Sequence, residues 1–218
     1  MAFPYAAVLF DLDGTLVDSI ADLADAMNYA LALQGLPGHE LPAYRLMVGE
    51  GVETLVRRAL PAERSALVPR VLADFRDRYA GHYADKTLPY PGIADLLARL
   101  SAAGLKLAVL SNKREDFTQA VVRALLPGAR FEQVRGERAN VPRKPDPTAA
   151  LELARDLGVA PSACAFVGDT AVDMDTARSA GMVAVGVLWG FRSKEELLSH
   201  GAKVLLAHPL ELLDVAGP

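Results

Sequence analysis

Ala6-Ala7-Val8-Leu9-Phe10-Asp11-Leu12-Asp13-Gly14-Thr15-Leu16-Val17-Asp18 is the stretch that decides the fold of this 218-residue chain. Its opening apolar run reads as a strand buried on both faces. The run ends in an acid, an apolar residue and a second acid, and the Gly-Thr turn that follows leaves the backbone free to bend at one sheet edge. Open α/β sheets bind ligands there, outside the carboxyl ends of their strands. A plainer reading makes these residues a solvated turn, with Asp13 capping Gly14 and Thr15 and Asp11 marking the strand's end. For two acids near a strand taken alone, the turn is favoured. The rest of the chain decides against it.

Beyond Asp18 the period changes. Asp18 or Ser19 is placed to cap a helix with Ile20, Leu23, Ala24, Met27, Ala30 and Leu31 on its inner face, and Asp22, Asp25 and Asn28 opposite. Gly35-Leu36-Pro37-Gly38 stops it, Pro42 opens a short helix, and Gly49-Glu50-Gly51 breaks the chain before an inner face of Val52, Leu55, Val56, Ala59 and Leu60. A longer helical stretch runs to about Asp85. With no strand pattern between 16 and 85, the expected division is a core of residues 1–15 and 86–218 and an all-α cap of residues 16–85. Hinges are expected near Thr15 to Asp18 and Leu88 to Gly92.

From Ile93 onward helix and strand alternate, which predicts a parallel sheet with helices on both faces. Strands are expected at Lys106 to Leu110, weakly at Phe131 to Val134, then at Ala163 to Val167, Val183 to Leu188 and Lys203 to Leu206, with a terminal helix after the last.

Composition narrows the function. A net charge of −4 and a pI near 5.6 leave no polybasic surface for nucleic acid or an anionic membrane. The single cysteine, Cys164, lies in an apolar run and reads as a small buried thiol. No apolar stretch reaches the length of a membrane span. The expectation is a cytoplasmic protein acting on a small molecule, as a monomer or small homo-oligomer.

The polar residues fall at successive strand ends: Asp11 and Asp13, Ser111 and Asn112, then Gly168 and Asp169, with Lys144 in a loop that opens a helix. In a parallel sheet these ends point one way. Converging carboxylates repel unless a cation sits among them, and an oxygen-only set suits Mg²⁺. A lysine and a hydroxyl beside that cation would neutralise and orient a phosphoryl group. Taken singly, Ser111-Asn112 is an ordinary turn, Lys144 a loop charge, and Asp169 and Asp173 favourable acids near a helix start. His39, His82, His200 and His208 have no ligand spacing and read as surface residues, and Trp189 and Phe191 read as packing beneath a loop.

Asp11-Leu12-Asp13-Gly14-Thr15, Ser111-Asn112, Lys144-Pro145 and Gly168-Asp169-Thr170-Ala171-Val172-Asp173 resemble, in order and spacing, the four motifs of the haloacid dehalogenase superfamily. The resemblance covers essentially the whole chain. It implies an α/β fold, a Rossmann-like doubly wound parallel sheet, with the inserted helices as an α-helical cap. Val48 to Leu60, with Gly49-Glu50-Gly51 at its start, is most similar to the cap loop and helix of bacterial phosphoglycolate phosphatases, although Met47 stands where that group often has an aromatic residue.

That resemblance implies a Mg²⁺-dependent phosphatase with Asp11 as nucleophile, forming an aspartyl-phosphate, and Asp13 as acid and base. The metal would be held by Asp11, the Asp13 carbonyl and Asp169, with Asp173 beside it. Lys144 and Ser111 would hold phosphoryl oxygens, with Asn112 beside them. The carboxylate of 2-phosphoglycolate would meet Gly49, Glu50 and Gly51 or Arg45. A phosphomutase, a pyrophosphatase and a receiver-like signalling domain remain as alternatives.

Overall fold

The structure, a computed structural model, describes residues 5–215, so residues 1–4 and 216–218 of the expected core lie outside it. In chain order its elements are β1 (Ala7–Phe10), β2 (Val17–Asp18), α1 (Ile20–Leu33), α2 (Leu41–Met47), α3 (Val52–Ala59), α4 (Val68–His82) and β3 (Leu88–Pro89). They continue as α5 (Ile93–Ala102), β4 (Lys106–Arg114), α6 (Glu115–Leu125), β5 (Gln133–Glu137), α7 (Thr148–Asp156), β6 (Cys164–Gly168), α8 (Ala171–Ala180), β7 (Val183–Val187), α9 (Lys194–Ser199) and β8 (Val204–Leu206).

Six strands form one parallel sheet in the order β5-β4-β1-β6-β7-β8. The chain builds outward from β1 to one side, then returns to the other, so β1 is central and the progression of connections, not the strand direction, reverses beside it. Both faces are covered, as the unbroken apolar run requires. Val8 and Phe10 pack on one side with Leu96, Leu100 and Val121, while Ala7 and Leu9 pack on the other with Leu153, Phe166 and Met174. This is the Rossmann-like α/β architecture that the alternation predicts.

The helices α1 to α4 pack on one another around a separate apolar cluster that includes Met27, Leu31, Tyr44, Val56 and Phe75, with Phe191 contributed from beyond β7. The segment is not wholly strand-free: β2 and β3 pair antiparallel, Val17 against Pro89 and Asp18 against Leu88, so the two crossings between the layers form a small ribbon. Asp22, expected on the outer face of α1, is buried and accepts hydrogen bonds from Lys86 N, Thr87 N and Thr87 Oγ1. It anchors the returning chain beside the ribbon.

Three further expectations shift. Strand β4 continues past Leu110 through Arg114, because the edge strand β5 supplies a partner at Glu137 beyond a register irregularity. The strand expected at Phe131 to Val134 forms at Gln133–Glu137 instead, and the terminal helix is a 3₁₀ turn over Pro209–Asp214. Cys164 is buried as expected, with its thiol pushed up to about 11 by desolvation. Among the described residues no helix is long and apolar enough to cross a membrane.

Candidate active site

Strand β1 lies between β4 and β6, so their carboxyl ends are neighbours. Asp11 follows β1, Asp169 follows β6, Ser111 and Asn112 lie on the extension of β4, and Lys144 arrives from the loop before α7. All five are buried.

Lys144 Nζ lies 2.9 Å from Asp11 Oδ1 and 2.7 Å from Asp173 Oδ1. Asp11 Oδ1 also accepts from Leu12 N at 2.7 Å, whereas Oδ2 accepts no hydrogen bond from the described residues. The local scaffold therefore uses one oxygen and leaves the other open. Asp173 serves both readings of its position. As the third residue of α8 its Oδ2 accepts from Thr170 N and Oγ1, completing a capping box, while its other oxygen holds Lys144. Asp169 accepts from Thr15 Oγ1 at 3.1 Å and from Phe191 N at 2.8 Å. Gly14, at φ +83°, and Gly190 frame it: an added Cβ would fall 2.3 Å from Asp169 Oδ2 at the first and 2.2 Å from Asp169 Cβ at the second.

Oxygens of Asp11, Asp169 and Asp173 lie within 4.8 Å of one another. Three carboxylates against the single Lys144 ammonium leave a surplus of two negative charges when all are ionised. Burial pushes the Asp11 carboxyl up to about 7, a rise opposed by Lys144. Burial, then Asp173 and Asp11, push Asp169 well above the usual carboxylate range. For Lys144, burial works toward neutrality, but Asp11 and Asp173 outweigh it and hold the amine charged. A divalent cation fits this surplus, and a donor set of oxygens alone suits Mg²⁺.

The sign of the pH dependence follows. Asp11 binds its proton more tightly in the folded chain than in the unfolded one, so metal-free stability is highest below about pH 4 on this account and is lost as pH rises through about 7. A bound Mg²⁺ would displace that proton. Thermal melts are expected to show a larger stabilisation by added Mg²⁺ at about pH 8 than at about pH 5. Equal shifts at the two values would contradict the cluster as the metal site.

Asp13 stands apart from this cluster. Both its oxygens lie 2.7 Å from Lys113 Nζ, and the Ser19 hydroxyl donates to Oδ1. Ser19 thus serves Asp13 rather than capping α1, where Asp18 Oδ1 accepts from Ile20 N. Asp11, Asp13, Ser111 and Lys113 face a cavity of about 70 Å³ between the sheet edge and the helical layer. At roughly 10–15 Å³ of such space per water, it has room for about five to seven waters or a small ester of similar bulk.

Asn112 faces the same cavity, but its amide is used by the chain: Nδ2 donates to Gly49 O and Lys144 O, and Oδ1 accepts from Lys144 N. It ties the Lys144 loop to the helical layer. Arg143 Nη1 donates to Glu50 O, and Arg192 donates to the carbonyls of Arg45, Leu46 and Val48. These bonds hold the Gly49-Glu50-Gly51 loop over the sheet edge.

The chain matches the profile of haloacid dehalogenase-like hydrolases over residues 5–181. It belongs to that family. Among curated relatives, the phosphoglycolate phosphatase of Pseudomonas putida is 36% identical over 213 residues, covering 95% of this chain and 75% of that protein. That of Chromobacterium violaceum is 37% identical over 214 residues, covering 96% and 95%. Among solved structures, a haloacid dehalogenase-like family hydrolase from Streptococcus pneumoniae superimposes with a TM-score of 0.88 at 26% identity, over 97% of this chain and 98% of that one.

The segments that carried the resemblance to the haloacid dehalogenases are the segments that converge here. The loop residues expected to meet substrate do not all do so: Gly49 and Gly51 line the cavity, whereas Glu50 does not, its side chain pairing with Arg58. Arg45, in the last turn of α2, is exposed and outside the cavity. Other residues were missed. Lys113 lies two positions past Ser111 on an extended strand, a spacing that shares a face. Arg76 and Tyr79 of α4 also line the cavity, and their i,i+3 spacing was the available signal. Phe191, read as packing alone, supplies a backbone N–H to Asp169, while Trp189 Nε1 donates to Thr15 O. The histidines are not simply surface groups, since His39 is half-buried with a ring nitrogen 2.8 Å from Ala59 O. None of the four faces the cavity.

Proposed function

We propose that this haloacid dehalogenase-like hydrolase is a Mg²⁺-dependent phosphatase that converts 2-phosphoglycolate to glycolate and phosphate through an aspartyl-phosphate. The observation that carries the reading is the pairing of Asp11, charge-matched by Lys144 with one oxygen left open, and Asp13 on the wall of one small cavity. Names of the curated relatives support the substrate.

In this mechanism the open oxygen of Asp11 attacks phosphorus as the bond to the ester oxygen breaks, and Asp13 gives its proton to the departing alkoxide. Asp13 then takes a proton from the water that attacks the same phosphorus, which frees the Asp11 carboxylate and phosphate. Lys113 holds Asp13 toward the cavity during both transfers. Lys144 and the Ser111 hydroxyl take phosphoryl oxygens. Mg²⁺, bound by Asp11, Asp169 and the Asp13 carbonyl with Asp173 alongside, would offset the repulsion between Asp11 and an anionic ester. A receiver-like domain would give Asp13 no such task.

Residues 16–85 act as a cap in this reading. Substrate enters when the bonds from Asn112, Arg143 and Arg192 to the cap loop open, and their closure excludes bulk water.

The test is phosphate release from paired esters. 2-Phosphoglycolate is expected to exceed ethyl phosphate in kcat/KM by roughly tenfold or more, the effect of a charged hydrogen bond of about 1.5–3 kcal/mol to the carboxylate. Equal values, or a preference for pyrophosphate or a hexose phosphate, would remove this substrate while leaving the catalytic centre intact.

A further inference from the structure

Among the described residues three cations line the cavity: Arg76, Lys113 and Arg114. Two are already matched. Lys113 holds Asp13, and Arg114 holds Asp116 through Nε at 2.6 Å while lying over the Phe117 ring. Arg76 makes no ion pair or hydrogen bond with any described residue, and its Nε is buried without a partner. Glu53, an acid that its charge reaches, is partly exposed and held by Arg57. One helical turn further along α4, the Tyr79 hydroxyl is also buried with no hydrogen bond of regular geometry. Lys113 Nζ, bonded to Asp13, stands over the Tyr79 ring 5.1 Å from its centre and interacts with the phenol oxygen, and because an ammonium can only donate, the phenol proton remains without an acceptor.

Buried donors left without acceptors are rare in folded proteins and point to a ligand that supplies them. Here two of them, three residues apart, face a cavity whose other wall carries Asp11 and Asp13. They belong to the helical side, the catalytic carboxylates to the sheet side, and the intervening space admits only a small ligand. A small ester that places its phosphoryl group at Asp11 can direct its other end toward α4, the helical-side wall that carries these unpaired donors.

We infer that Arg76, with the Tyr79 hydroxyl, binds an anionic group at the end of the substrate remote from the phosphoryl group, and so selects phosphate esters that carry a carboxylate. The inference rests on the phosphatase reading above and moves the carboxylate contact from Arg45 to Arg76. A guanidinium presents a planar fork that matches two carboxylate oxygens, and the phenol supplies a third donor. A neutral tail leaves all of them unpaired again, so such esters are rejected rather than merely bound less well.

The test compares kcat/KM for 2-phosphoglycolate with that for ethyl phosphate in the full-length enzyme and in Arg76→Gln, Arg76→Lys and Tyr79→Phe. The selectivity ratio is expected to fall by about tenfold to about a hundredfold in Arg76→Gln, to be partly restored in Arg76→Lys, and to fall by a few-fold in Tyr79→Phe. The loss should fall mainly in KM for 2-phosphoglycolate. A wild-type ratio retained in Arg76→Gln overturns the inference, including the case in which both esters slow together, as a purely structural role would produce. A wild-type enzyme with no preference between the two esters would instead remove the substrate assignment, and the inference with it.

Discussion

Asp11→Asn is expected to abolish turnover while leaving the fold intact. The amide is nearly isosteric with the carboxylate, and its carbonyl can still accept from Leu12 N and Lys144, the two partners of Asp11 Oδ1. What disappears is the negative charge of the carboxylate that lines the cavity. Removing a covalent nucleophile costs several orders of magnitude, so phosphate release should fall below about one-thousandth of the wild-type rate. Stability should move the other way. Desolvation opposes ionisation of Asp11, whose carboxyl titrates at about 7, and the amide reproduces its uncharged form. Above that pH the metal-free variant should melt no lower than wild type, and higher if the charge surplus is as unfavourable as the burial implies. An active variant would exclude Asp11 as nucleophile, whereas an inactive variant with a sharply lowered melting temperature would show only that the fold had been damaged.

Lys144→Met is expected to cost both activity and stability. The thioether keeps much of the aliphatic stem but removes the ammonium that pairs with Asp11 and Asp173, both almost fully buried. Breaking a buried pair from one side typically costs about 3–5 kcal/mol. For a chain of this length that corresponds to a fall in melting temperature of roughly 6–20 °C near neutral pH. The deficit should shrink toward about pH 5, because carboxylates without their counter-charge take up protons more readily. Turnover should fall by at least about a hundredfold, since a preorganised charge at the phosphoryl oxygens is lost. A variant that melts like wild type at both pH values would mean that the buried carboxylates are neutral without Lys144.

The amino-acid sequence determined the layered α/β core, the order of its strands along the chain and the residues at their carboxyl ends. Those features are local. A run such as Ala6 to Phe10 must be covered on both faces wherever it lies, and a turn such as Gly14-Thr15 ends it for reasons contained in its own backbone. Periodicity likewise placed α1, with Met27 and Leu31 inward. It failed for Asp22, an acid buried because Lys86 and Thr87 donate to it from the far end of the helical segment. The Lys113–Asp13 pair, separated by 100 residues, the Phe191 N–H on Asp169, and the tie from Asn112 to Gly49 have no period along the chain. Tertiary packing alone decided them, because a polar group's partner is settled only when burial removes water as the alternative. The same holds for the choice between Arg45 and Arg76. Both are arginines on helices of one layer, and only the packing of α4 over the sheet edge turns one toward the cavity and leaves the other in solvent.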